Sequence, residues 1–118
     1  MSNNGPIDSA TFAELQDTAG ADFVKELVQT FLEEAPAMLQ ELRDALAAGN
    51  ADAFRRAAHS LKSNSLTFGA GTLAALAREQ ELGGLAAAQQ QQQSANALDA
   101  LALEYGRVAA ALTELTRD

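Results

Sequence analysis

The chain has 118 residues and carries eight basic against sixteen acidic side chains, a net charge of −8. That length fits one domain with a real but modest core, and the acidic balance argues against nucleic acid, whose binding rests on neutralising phosphates with Lys and Arg. The lack of cysteine removes disulfides and thiolate zinc sites, and a single histidine cannot build a multi-histidine metal centre.

Apolar residues make up 47% of the chain, and Ala and Leu dominate them, while aromatics are only 5%. Ala and Leu are strong helix formers, whereas a sheet would draw on Val, Ile and Tyr. No apolar run is long enough to span a bilayer, and the opening MSNNGPID lacks a signal-peptide pattern. The expectation is a soluble, cytoplasmic, all-α chain.

Residues 1–7 read as a flexible leader, with the domain covering 8–118. Asp8 or Ser9 can cap a short helix through about Asp17, with Phe12 and Leu15 on one face. A long helix follows from about Ala21 to Ala48. Its predicted apolar stripe is Phe23, Leu27, Phe31, Met38, Leu42 and Leu46, with Ala35 and Ala45 between them. Pro36 lies inside it, where it removes the hydrogen bond to the Leu32 carbonyl and predicts a kink or local distortion.

Gly49-Asn50 ends that helix, and Asn50 suits the N-cap of a third, from about Ala51 to Phe68. The buried stripe of this third helix is clean: Phe54, Ala58, Leu61, Ser65 and Phe68 step by four, three, four and three. Ser65 within it can bond back to the Leu61 carbonyl. A fourth helix is expected from near Ala70, with Leu73, Leu76, Ala77 and Gln80 inward, ending at Gly83-Gly84. The remainder, Leu85 to about Thr116, reads as one long helix with Leu98, Leu101, Tyr105, Val108, Leu112 and Leu115 facing in. The alternative is that Gln89–Ser94 is a loop and Ser94 caps a shorter last helix. Together these elements predict an antiparallel up-down four-helix bundle, with the short first helix capping one end.

Charge is unevenly spread along the chain. No Asp or Glu lies between Asp52 and Glu79, yet that window holds Arg55, Arg56, Lys62, Arg78 and the only histidine, His59. His59 sits one position past Ala58, about 100° round the third helix from its buried stripe. It therefore belongs to a half-exposed row with Arg55, Lys62 and Leu66, and Arg56 and Ser63 lie within one turn.

These neighbours suit a phosphorylated imidazole. Phosphate would add nearly two negative charges, which Lys62, Arg55 and Arg56 would offset. Ser63 is small and leaves room for another protein to approach, and Glu81 or Gln80 on the next helix could hold the second ring nitrogen. Read without chemistry, a lone histidine on a helix flank is a boundary residue and the charges around it a solvated face.

The run from Ala58 to Ala70, AHSLKSNSLTFGA, resembles the signature of the histidine-containing phosphotransfer domain. That family's pattern is an AHxLKG-type run, a small residue two further on, then Gly-Ala, leucines and a Leu-Glu pair. Ala58, His59, Leu61, Lys62, Ser65, Gly69, Ala70, Leu73, Leu76 and Glu81 all fall on it. Ser63 stands where glycine is usual, Ala77 where cysteine is frequent, and Gln80 where leucine precedes the glutamate.

The resemblance implies a phosphorelay module that takes and gives a phosphoryl group at Nε2 of His59, exchanging it with receiver-domain aspartates. The partner would be the receiver of a response regulator or hybrid histidine kinase, with Leu66 and parts of the first two helices as its docking surface. The chain would act as a monomer, without nucleic acid, membrane insertion, metal or cofactor of its own, and Mg²⁺ would come from the receiver. No Gly-rich nucleotide motif is present, so the chain is expected to be a carrier rather than an enzyme. Two other readings stay open: a helical adaptor that binds partners without phosphotransfer, and an acid–base enzyme using His59 with Glu81.

Overall fold

The computed structural model describes residues 5–90 and 94–117. Among them all regular structure is helical: α1 (Ser9–Ala19), α2 (Ala21–Ala48), α3 (Ala51–Thr67), α4 (Gly71–Gln90) and α5 (Ser94–Leu115). Helix α3 packs on α2 and α4, α4 on α5, α5 back on α2, and α1 on α2.

The helix ends follow local chemistry. Asp8 caps α1 by accepting from the Thr11 N–H at 3.2 Å, and Asn50 caps α3 by accepting from the Ala53 N–H at 3.1 Å. Gly49 takes the left-handed conformation (φ 72°) that ends α2, with the Asn50 N–H reaching the Ala45 carbonyl at 2.9 Å. Gly69 (φ 79°) ends α3 in the same way, with the Ala70 N–H on the Ser65 carbonyl.

The turn at Gly69 also docks α1. Its carbonyl accepts from the Asp8 N–H at 2.8 Å, and a Cβ on Gly69 would meet Thr11 Cβ at 2.9 Å. Ile7 is buried with the core. Burial of its apolar side chain holds the chain against the core just before α1. Residues 1–4 lie outside the described residues.

The α3 stripe is as expected: Phe54, Ala58, Leu61, Ser65 and Phe68 are all buried. Ser65 Oγ donates to the Leu61 carbonyl at 2.6 Å. In α2 the buried stripe is Val24, Val28, Phe31, Ala35, Leu42 and Ala45, and Phe23 is 52% exposed. Adjacent apolar residues point about 100° apart, so only one of Phe23 and Val24 can face the core; packing chose the valine. Leu27, Met38 and Leu46 are half-buried beside that stripe. Ala70, just before α4, and Leu73, Ala74 and Ala77 within it are buried, with Leu76 packed against them and Gln80 half-buried.

Helix α2 runs through Pro36 as one element of 28 residues. Proline supplies no N–H to Leu32, and the Leu32 carbonyl instead accepts from the Tyr105 hydroxyl of α5 at 3.3 Å. The Phe31 ring lies 5.9 Å from the Tyr105 ring and 5.4 Å from that of Phe68, joining α2, α5 and the end of α3.

Gly84 (φ 75°) breaks the helical path where Gly83-Gly84 predicts a stop, and helix resumes to Gln90. α5 begins at Ser94. Residues 91–93, on which the choice between one long helix and a loop depends, lie outside the described residues. Leu98, Leu101, Val108 and Leu112 are buried, while Leu115, the last residue of α5, is 44% exposed.

Candidate functional site

The clean α3 stripe sets the helix rotation, and that rotation presents His59 outward with its side chain 56% exposed. The neighbouring helix α4 brings up Glu81, whose Oε2 lies 2.7 Å from His59 Nδ1. The other carboxylate oxygen, Oε1, is 2.8 Å from Lys62 Nζ. Oε1 is buried and this approach falls outside hydrogen-bond angles, so the Lys62 contact is an ion pair rather than an aligned hydrogen bond.

Glu81 is thus a bridge between the histidine and the lysine, with its own side chain only 17% exposed. The Lys62 ammonium and then His59 hold its carboxyl below the usual carboxylate range, against the opposing effect of desolvation. An ionised carboxylate can only accept, so Nδ1 carries the hydrogen and donates it. The neutral imidazole then has its lone pair on Nε2, which has no hydrogen bond among the described residues.

Of the two residues expected to reach the imidazole, the structure selects Glu81; Gln80 is half-buried on the flank of α4. Lys62 is drawn into the site and is largely covered, whereas Arg55 and Arg56 turn to Asp52. Arg55 meets its carboxylate at 2.7 Å, and Arg56 approaches it at 3.7 Å and the Asp52 carbonyl at 3.4 Å. Asp52 was missed as part of this environment, although its i+3 and i+4 spacing to the two arginines was there to be read. Ser63 and Leu66 are exposed, the leucine at 55%.

Among the described residues no cluster of three or more His, Asp or Glu could hold a metal ion, and no helix is long and apolar enough to cross a membrane. The arrangement presents one nucleophilic nitrogen to solvent, with its ring held from behind by a carboxylate and a cation one turn along. It is open, so a reacting partner can reach Nε2 directly.

A family model described as the Hpt domain matches residues 26–115. A crystal structure of histidine-containing phosphotransfer protein B from Pseudomonas aeruginosa PAO1 is similar over 97% of this chain and 96% of that chain, with a TM-score of 0.85 and 28% sequence identity. No curated protein matches the chain by sequence.

Proposed function

The chain belongs to the Hpt domain family and serves histidine phosphotransfer in two-component signalling, and we propose that the atom it offers for this is Nε2 of His59. The observation that carries the reading is the Nδ1–Glu81 hydrogen bond of 2.7 Å, which leaves Nε2 with the lone pair on an exposed helix flank.

In the proposed transfer, the Nε2 lone pair attacks the phosphorus of a receiver's aspartyl phosphate. The Nε2–P bond forms as the P–O bond to the aspartate breaks, and the aspartate leaves as a carboxylate. The Nδ1 proton stays in place. The ring, substituted on both nitrogens, gains a positive charge, which Glu81 offsets at hydrogen-bond distance. Return of the phosphoryl group to a second receiver is the reverse. Because phosphoryl transfer passes through a loose transition state, positioning and electrostatics carry most of the catalysis.

Lys62 is the cation placed to offset the phosphoryl charge at short range, with Arg55 and Arg56 acting from further away and weakened by Asp52. Ser63 leaves room for the incoming receiver and Leu66 gives it an apolar contact. Mg²⁺ belongs to the receiver, and this chain works as a cytoplasmic monomeric carrier with no cofactor of its own. We read α2–α5 as the antiparallel four-helix bundle and α1 as its cap, supported by the closed circuit of packing from α2 through α3, α4 and α5.

The test is incubation with a phosphorylated receiver, wild type beside His59→Gln. Wild type is expected to gain an acid-labile, alkali-stable label. A His59→Gln protein that folds normally and still takes the label would overturn the assignment.

A further inference from the structure

Arg78 is the one lysine or arginine among the described residues without an ion-pair or other polar partner; the rest are engaged by Asp52, Glu81, Asp99, Glu104 or Glu114, and Lys25 is also engaged. It is exposed on α4, three positions before Glu81, and side chains at that spacing are neighbours on a helix surface. Glu79 follows it directly but projects about 100° away round α4. Arg78 and Lys62 line one groove between α3 and α4, so both cations stand along the seam that brings Glu81 to His59.

The two cations differ in how free they are to move. Lys62 lies 2.8 Å from Glu81 Oε1, an oxygen that is buried and has no hydrogen bond. Drawing Lys62 away would strip that oxygen of its counter-charge, which is costly on a carboxylate whose side chain is only 17% exposed. Lys62 therefore acts from where it stands, as a nearby charge. Arg78 has no such tie, and its side chain can turn to a new anion without breaking a polar contact.

We propose that Arg78 is a catalytic residue of the transfer: its guanidinium turns across the α3–α4 seam and donates two parallel N–H bonds to oxygens of the phosphoryl group at Nε2 of His59. The inference rests on the phosphotransfer reading of His59 and divides the work between two cations, fixed charge from Lys62 and directed donors from Arg78. The planar guanidinium fork matches phosphoryl oxygens in pairs, which an ammonium does not. Those oxygens hold the charge in the loose transition state, and the phosphohistidine that results keeps nearly two negative charges. The same contact thus serves the transition state and the carried group. Nε2–P forms as the donor's bond to phosphorus breaks, and Arg78 stays protonated throughout.

The test uses a donor too small to dock: phosphoramidate, whose P–N bond breaks as Nε2–P forms and ammonia leaves. Wild type, Arg78→Ala and Arg78→Lys are compared in the rate of His59 labelling, with thermal melts to establish folding. Arg78 is exposed and unpaired, so all three should fold alike. Arg78→Ala is expected to label about tenfold more slowly, a smaller loss than for a donor in a closed site because this one is open to water. Arg78→Lys, which keeps the charge and loses the fork, should label about threefold more slowly. In phosphorus NMR titrations of the phosphorylated proteins, the phosphoryl group of Arg78→Ala should titrate about 0.5 higher in pH than that of wild type, having lost a cation that favours its doubly charged form. A labelling rate of Arg78→Ala within about twofold of wild type, or an unmoved titration, overturns the assignment. So does a loss confined to transfer from a receiver, which is the mark of a docking contact, and Arg78→Lys at the wild-type rate overturns the paired donation. Wild-type protein that takes no label on His59 from phosphoramidate or from a phosphorylated receiver overturns the phosphotransfer reading itself.

Discussion

The carbonyl of Leu32 gives a test of how α2 accommodates its internal proline. Pro36 cannot donate to it, and Tyr105 reaches across from α5 to bond it at 3.3 Å. At the long end of hydroxyl geometry, such a bond contributes toward the lower part of the usual ~0.5–1.5 kcal/mol. Loss of the hydroxyl would also leave a half-buried acceptor without a partner. Tyr105→Phe keeps the ring against Phe31 and deletes only the hydroxyl, so it should cost about 1 kcal/mol.

In a Pro36→Ala background the restored N–H can donate to Leu32, and Tyr105→Phe should then cost at most about half as much, a coupling near 0.5 kcal/mol. Pro36→Ala alone should stabilise by about 2–2.5 kcal/mol, the ~3 kcal/mol helix-interior penalty of proline less the ~0.4–1 kcal/mol of unfolded-state entropy that proline removes. Urea melts of the four proteins at constant m-value measure all of these terms. Equal costs of Tyr105→Phe in both backgrounds, or a destabilising Pro36→Ala, would refute the claim that the tyrosine replaces the missing helical donor.

Other outcomes follow from the same geometry. Lys62→Ala should slow transfer to His59 by about tenfold, whereas Arg55→Ala and Arg56→Ala, exposed and paired with Asp52, should each change it less than about twofold; single-turnover phosphotransfer measures the contrast, and equal losses would contradict it. Glu81 has a folded-state pKa below its ordinary 4.5, so its contribution to stability is present above that value and lost as pH falls through the lower folded value. Glu81→Gln should therefore flatten the acid side of a stability–pH profile, and an unchanged slope would count against the bridge. Burial pushes the Tyr105 hydroxyl above its ordinary 10.0, so its contribution is complete below that pH and declines as pH rises through the folded value; Tyr105→Phe should remove that alkaline decline. Gly69→Ala places a methyl 2.9 Å from Thr11 Cβ at a positive φ, and should destabilise by more than about 1 kcal/mol with early loss of α1 protection in hydrogen exchange.

Much of this protein is determined locally and was open to reading from the sequence alone. The alternation of four and three along Phe54, Ala58, Leu61, Ser65 and Phe68 leaves a single rotation for α3, and that rotation by itself puts His59 on the exposed flank. The caps at Asp8 and Asn50 and the left-handed glycines at 49 and 69 are likewise chemistry within a few residues of chain. Where two rotations were nearly equal, only tertiary packing decided: Val24 faces inward in place of Phe23, and Glu81 in place of Gln80 meets the imidazole. In each pair the candidates are adjacent, so the choice is a turn of about 100° set by the helix across the interface. The Tyr105 bond to Leu32, 73 residues apart, and the groove that leaves Arg78 unpartnered exist only once separate helices lie side by side, because no local pattern encodes which surfaces will face each other.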